Sequence, residues 1–139
     1  MAITQAMCTS FKEELLTGVH VFGTDTLKIA LFTSSADLSA ATTAYSTTNE
    51  ATGTGYAAGG NTLTGVTVSS SGTTAFVDFA NTEWNSSTIT ARGALIYNSS
   101  KADRAIAVLD FGADKSSSDG TFSIVFPAAD ASNAILRLE

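Results

Sequence analysis

The chain carries one cysteine, one histidine, one proline and one tryptophan in 139 residues, and each scarcity removes a class of explanation. A lone Cys8 excludes an internal disulfide and fits folding in a reducing compartment. Set between Met7 and Phe11, it reads as a small buried hydrophobe rather than a nucleophile. A lone His20 leaves acid–base catalysis without the partners that a base poised near neutral pH requires. It stands just beyond an expected helix end, where it would interact with terminal carbonyls. A helix stop separates it from Cys8, so the two have no arranged geometry as a thiolate pair. No apolar run approaches the length of a membrane span, and the first residues lack the basic stretch and apolar core of a secretory leader. Neither a membrane nor secretion is therefore expected.

Charge is scarce too. Only 14% of residues are Asp, Glu, Lys or Arg, against about a quarter in ordinary globular chains, whereas 44% are hydrophobic. With a mean hydropathy of +0.19, a folded monomer would expose apolar or weakly polar patches of the kind that mark association surfaces. A homo-oligomer (dimer or trimer) or a docked partner is expected. The 13 acidic residues outnumber 7 basic ones, giving a formal charge of −6. That balance repels phosphate backbones, so nucleic-acid binding is not expected. At this length a single domain, residues 1–139, can bury roughly two thirds of the surface its unfolded form exposes.

What is present is mostly strand signal. Residues 3–17 alone read as helix, with Met7, Phe11 and Leu15 four apart and Cys8 beside them. Thr4 or Ser10 is the candidate N-cap and Gly18 the stop. Residues 27–33 then alternate, with both faces apolar, as in a buried strand. Residues 34–61 have no period and end in GTGYAAGGN; so long a structureless stretch reads as an extended arm ordered against a neighbouring subunit, with a short edge strand at 51–56. Further strands are expected at 63–68 and 74–79, joined by SSSG, then at 88–97, 104–111, 121–126 and 133–138, the last pairing with another copy. Gly93 is a candidate bulge or close approach. The fold class is mainly β, a single sandwich or jelly-roll-like domain with one N-terminal helix and an extended arm.

Candidate chemistry is thin. Asp110, Asp114 and Asp119 flank FGADKSSSDG, but their spacing matches no EF-hand, and Asp in such a turn bonds its own backbone. The glycines of GTGYAAGG lack the leading strand, following helix and Lys of a phosphate-binding loop, and read as close-approach positions in a subunit contact. No catalytic residue, metal ligand or cofactor is expected. Trp84 is an interface anchor or a sugar-stacking platform. Arg92, among small and apolar residues, needs a carboxylate if buried, with Asp78 and Asp110 as candidates. Tyr45, Tyr56, Trp84 and Arg92 are the expected interface residues.

Four blocks, AITQAMCTSFKEELLTGVH, NEATGTGYAAGG, DFANTEWNSSTITARGALIYNSS and FPAADASNAILRLE, stand in the order in which they recur in a family of small virion proteins of tailed bacteriophages. The chain resembles that family over most of its length, and departs from it in a short connection, GVHVFGTDTL, at residues 18–27. The resemblance implies a non-enzymatic decoration or cement protein on the outer capsid surface, made in the host bacterial cytoplasm and partnered by the major capsid protein. A tail or fibre location, and a carbohydrate-binding surface module built on Trp84 and Tyr56, are the alternatives.

Overall fold

A computed structural model describes residues 2–139. The chain forms a mainly β, sandwich-like domain of two antiparallel sheets and one short helix. The larger sheet is built from β1 (Ala6–Met7), β2 (Leu27–Phe32), β3 (Asn61–Thr62), β6 (Thr82–Asn98) and β7 (Arg104–Ile124), in the order β1-β7-β6-β2-β3. The smaller contains β4 (Thr67–Ser71), β5 (Thr74–Asp78) and β8 (Leu136–Leu138), in the order β4-β5-β8. Of the two expected arrangements, this hairpin-dominated order is sandwich-like rather than the paired Greek keys of a jelly roll.

The β6–β7 hairpin dominates. Its turn uses a 3-10 segment, Ser99–Lys101, followed by Ala102 and Asp103 in left-handed conformation. β2 lies along β6 in unbroken register from Leu27↔Asn98 to Phe32↔Gly93. Both faces of β2 are apolar because both are covered: Leu27, Ile29, Ala30, Leu31 and Phe32 are all buried. Gly93 is a position of close backbone approach, since a Cβ there would meet the Leu109 carbonyl at 2.5 Å.

Residues 104–126 depart from the expected pair of strands with a loop between them. β7 is one long strand, and its polar middle pairs with the equally polar first half of β6. A bulge between Ala91↔Lys115 and Gly93↔Asp110 lifts residues 111–114 out of the ladder. The hydroxyl and glycine content there reflects exposure on the sheet surface, which sequence alone cannot distinguish from a loop.

The helix is shorter than the 3–17 span that the stripe of residues four apart predicts. α1 spans Thr9–Leu16, and Met7 belongs to the preceding strand β1, paired with Ala107. Neither Thr4 nor Ser10 caps it; the N-cap is Cys8, with no side-chain cap bond. Its end does follow expectation. Gly18 (φ +75°) donates to the Leu15 carbonyl and Val19 to that of Glu14, a Schellman closure. Phe11 is buried, and its ring packs on His20 and Phe22 at centroid distances of 5.1 and 6.0 Å.

Residues 34–61 are irregular, but they lie on the body of the protein and not away from it. β3 covers only Lys28 and Ile29 of the outer edge of β2, and this segment satisfies the rest. Thr33 donates to the Asn49 carbonyl, Ala51 to that of Leu31, and the Leu31 N–H to the Tyr56 hydroxyl. Residues 51–56 form bends and turns, not an edge strand. The last strand is also self-contained: β8 pairs with β5 of its own chain, from Ala75↔Leu138 to Val77↔Leu136.

Candidate functional site

Three of the expected interface residues meet inside the molecule. Glu50 is buried at 8% exposure and collects three donors: the Tyr56 hydroxyl (2.7 Å) and Gly59 N–H (2.8 Å) on Oε1, and the Tyr45 hydroxyl (2.7 Å) on Oε2. An ionised carboxylate that accepts several charge-assisted bonds is stable in a low-dielectric site. Tyr45 stacks on Tyr97 at 4.5 Å, and the Tyr97 hydroxyl donates to the Gly59 carbonyl at 2.7 Å. All three phenols are held above their ordinary range, first by burial. The Glu50 hydrogen bond adds to this for Tyr45 and Tyr56, and the charges of Asp103 and Glu50 help push Tyr97 up to about 12. They therefore remain protonated donors.

Trp84 belongs to this interior. It is 4% exposed and lies between Tyr56 (5.8 Å) and Phe122 (6.1 Å), so it offers no free ring face to a sugar or a partner. The glycines around Tyr56 allow close approach, as expected, but within one chain. A Cβ on Gly53 would meet the Thr88 carbonyl at 2.0 Å, and one on Gly60 would meet that of Ile29 at 1.8 Å.

A second polar network fixes the short connection at residues 18–26. The side-chain carbonyl of Asn98 accepts from Ser100 N–H, which turns its amide nitrogen toward Asp25 Oδ2 (2.8 Å) and His20 Nδ1 (2.9 Å). His20 Nδ1 is therefore an acceptor, and Nε2–H donates to Glu14 Oε1 at 2.9 Å. Arg104 binds the other oxygen of Glu14, and Lys101 reaches Asp25 and the Val19 carbonyl. Burial alone would raise the carboxyl groups of Glu14 and Asp25, but these hydrogen bonds and cations outweigh it and hold both below their usual values. Both ring nitrogens of His20 are thus engaged in structural bonds. Cys8 is fully buried, and burial, reinforced by Glu14, pushes its thiol up to about 11. Neither is arranged as a nucleophile or its base.

Arg92 is only half-buried and sits over the β7 bulge, 3.9 Å from Asp110 and 3.8 Å from Asp114. Asp110 was an expected partner and Asp114 was not. Asp78 is elsewhere, with Oδ1 buried and unbonded among the described residues. Asp119 adopts a left-handed conformation beyond the bulge, and its N–H is taken by the Thr88 hydroxyl. Among the described residues no three His, Cys, Asp or Glu side chains are grouped to hold a metal ion, and no helix is long and apolar enough to cross a membrane.

The outer surface offers a different kind of feature. An apolar groove of about 190 Å³ runs between α1 and the small sheet, lined by Met7, Phe11, Leu15, Phe22, Phe76 and Leu136 among others. Large apolar side chains also stand in solvent: Leu16 is 90% exposed and Val125 72%, with Val68, Leu138 and Val21 less so. No pattern in the sequence marks these, because their exposure depends on where elements end and, for Val68, on the edge position of its strand. No protein-family model, curated protein or solved structure matches the chain.

Proposed function

We propose that this protein is a non-enzymatic structural component of a tailed-phage particle, a decoration or cement protein that bridges adjacent major capsid protein subunits on the outside of the shell. The observation that carries the reading is apolar area left in solvent on a weakly charged chain: Leu16, Val68, Val125 and Leu138 stand exposed, whereas the phenols, Glu50 and His20 are tied up in closed networks inside. A protein that acts by chemistry presents reactive groups; one that acts by adhesion presents apolar area. The four sequence blocks in family order supply the phage context.

In this role each copy contributes only a few kcal/mol. Binding the assembled shell in preference to its parts stabilises it by mass action, and many copies act together. Synthesis in the host cytoplasm suits the reduced, buried Cys8. A tail or fibre position would use the same surfaces at far lower copy number. The carbohydrate alternative draws no support from Trp84, whose ring is enclosed.

The test is co-sedimentation with purified capsid shells and quantitation in intact particles. Copies on the order of hundreds per particle are expected, because the stabilisation is collective. Leu16→Asp, at a fully solvated position, should weaken shell binding without changing the fold. Failure of wild-type protein to bind shells, or a handful of copies per particle, would overturn the capsid reading.

A further inference from the structure

We infer that two copies of this chain associate through strand β4, antiparallel and two-fold symmetric, to join their small sheets into one. This deepens the assembly reading by naming one of its surfaces, and it rests on that reading only for its use.

An open strand edge is a template for further pairing, and monomeric β proteins guard their edges with short strands, charges, prolines or bulges. The other edges of this protein are guarded or covered; along the side of β6 that β2 leaves free before Gly93, Thr88 N–H donates to the Thr54 carbonyl and the Asn61 amide to the Glu83 carbonyl. In the large sheet the edge strands β1 and β3 are two residues long. The side of β7 beyond β1 carries Asp110, Asp114, Lys115 and Asp119, is broken by bulges, and has its Asp110 N–H taken by the Gln5 side chain at 3.2 Å. In the small sheet β8 is three residues long and bears Arg137.

β4 has none of these devices. It is five residues long, Thr67–Ser71, and exposed at every position. It contains no charge and no proline, and its register with β5 is unbroken from Thr67↔Asp78 to Ser71↔Thr74. The hairpin loop has Gly72 at φ +60° in its first position, the form of a type II′ turn. In such a hairpin the residues flanking the loop exchange hydrogen bonds with each other. Ser71, Ser69 and Thr67 therefore face β5, and Val68 and Ser70 turn their N–H and C=O groups outward.

That pattern selects a second copy as the occupant. An antiparallel self-pairing centred on Ser69 sets Val68 of one chain against Ser70 of the other, and both are outward-bonding residues. The match is reciprocal, as an isologous interface requires. It also places no like charges opposite each other in a chain that carries −6, a condition that the charged β7 edge and the Arg137-bearing β8 would not meet. Val68, 58% exposed and lining the groove beside α1, would be covered on one side by the joined sheet.

Sedimentation velocity on the free protein tests this with Ser69→Asp, Ser69→Lys and their equimolar mixture. Residue 69 is exposed, so both variants should melt like wild type. The expected result is a wild-type dimer, a dissociation constant raised about fivefold or more in each variant because like charges face across the two-fold, and recovery on mixing. A wild-type protein that stays monomeric at millimolar concentration overturns the inference. So do variants that dimerise as wild type, or a mixture no tighter than its components. A monomer that still binds shells would leave the capsid reading intact and remove this one. Loss of shell binding in both variants of a monomeric protein would assign β4 to a capsid strand instead.

Discussion

Replacing Tyr56 by Phe removes a single oxygen, yet it should be among the costliest polar deletions in this protein. The hydroxyl donates to Glu50 at 2.7 Å and accepts the Leu31 N–H at 2.9 Å, so it stands where the next strand beside β2 would. Loss of a bond to a charged acceptor costs about 1.5–3 kcal/mol, and a stranded buried N–H about 1–3 kcal/mol. Glu50 keeps Tyr45 and Gly59 as donors, and the ring keeps its packing on Trp84, so the lower half of the combined range applies, about 3 kcal/mol. With an unfolding entropy of about 2.1 cal/mol/K per residue, this lowers the melting temperature by about 10 °C. Thermal melts and urea titrations should agree, with the urea slope unchanged if the native and unfolded states keep their compactness. Combining Tyr56→Phe with Glu50→Gln should cost less than the sum of the two, because both break one network. A shift below about 2 °C with an unchanged slope would mean that the hydroxyl is solvated and that residues 34–61 are not anchored as described.

Phe11→Ala should cost about 3–5 kcal/mol in urea titration, since the ring is buried and holds His20 and Phe22. A loss under about 1 kcal/mol would show that the site collapses around the gap. On the acid side, Glu14 is held below its ordinary 4.5, so its contribution is complete above that value and is lost as pH falls through the lower folded one; Glu14→Gln should flatten this loss relative to wild type. On the alkaline side, Tyr97 is raised from 10 to about 12, so its contribution is complete below pH 10 and is lost as pH rises toward 12. Phenolate absorbance should therefore grow together with unfolding, and a tyrosine that titrates reversibly near pH 10 in the folded protein would contradict the buried cluster.

Where burial was two-sided or alternation strict, the sequence was legible. The apolar run of β2, the strand at Thr74–Asp78, the turn after Asn98 and the helix stop at Gly18 all lie where their patterns place them. The errors share one cause. Polarity in residues 34–61 and in the middle of β7 suggests distance from the fold, but both segments are polar because one side faces water while the backbone remains paired. Periodicity reports side-chain burial and carries no information about which backbone groups a neighbouring edge must satisfy. The Glu50 cluster is half visible in the sequence: Tyr45 and Tyr56 stand out as anchors, but the expected partner lies in another subunit, whereas the observed one is Glu50 of the same chain. The one signal available is that, of the two acidic residues in this Ser, Thr, Ala and Gly stretch, Glu50 lies close to both tyrosines in sequence.

The two polar networks explain how so weakly charged a chain keeps a unique fold. Each takes a connection that lacks its own hydrophobic stripe and fixes it to the sheet through bonded carboxylates: the buried Glu50 for residues 34–61, the partly buried Glu14 and Asp25 for residues 18–26. A carboxylate inside a protein is costly unless its oxygens are bonded, which makes the arrangement selective, because only one path of the loop supplies the donors. The same choice removes charge from the exterior. Three of the acidic residues behind the −6 are wholly or partly buried and bonded, and the strand most open to pairing, β4, has no charge at all. In the proposed assembly, copies that meet at β4 would approach through a neutral face with little mutual repulsion, and a rigid interior would let each present its apolar residues without an ordering cost on binding.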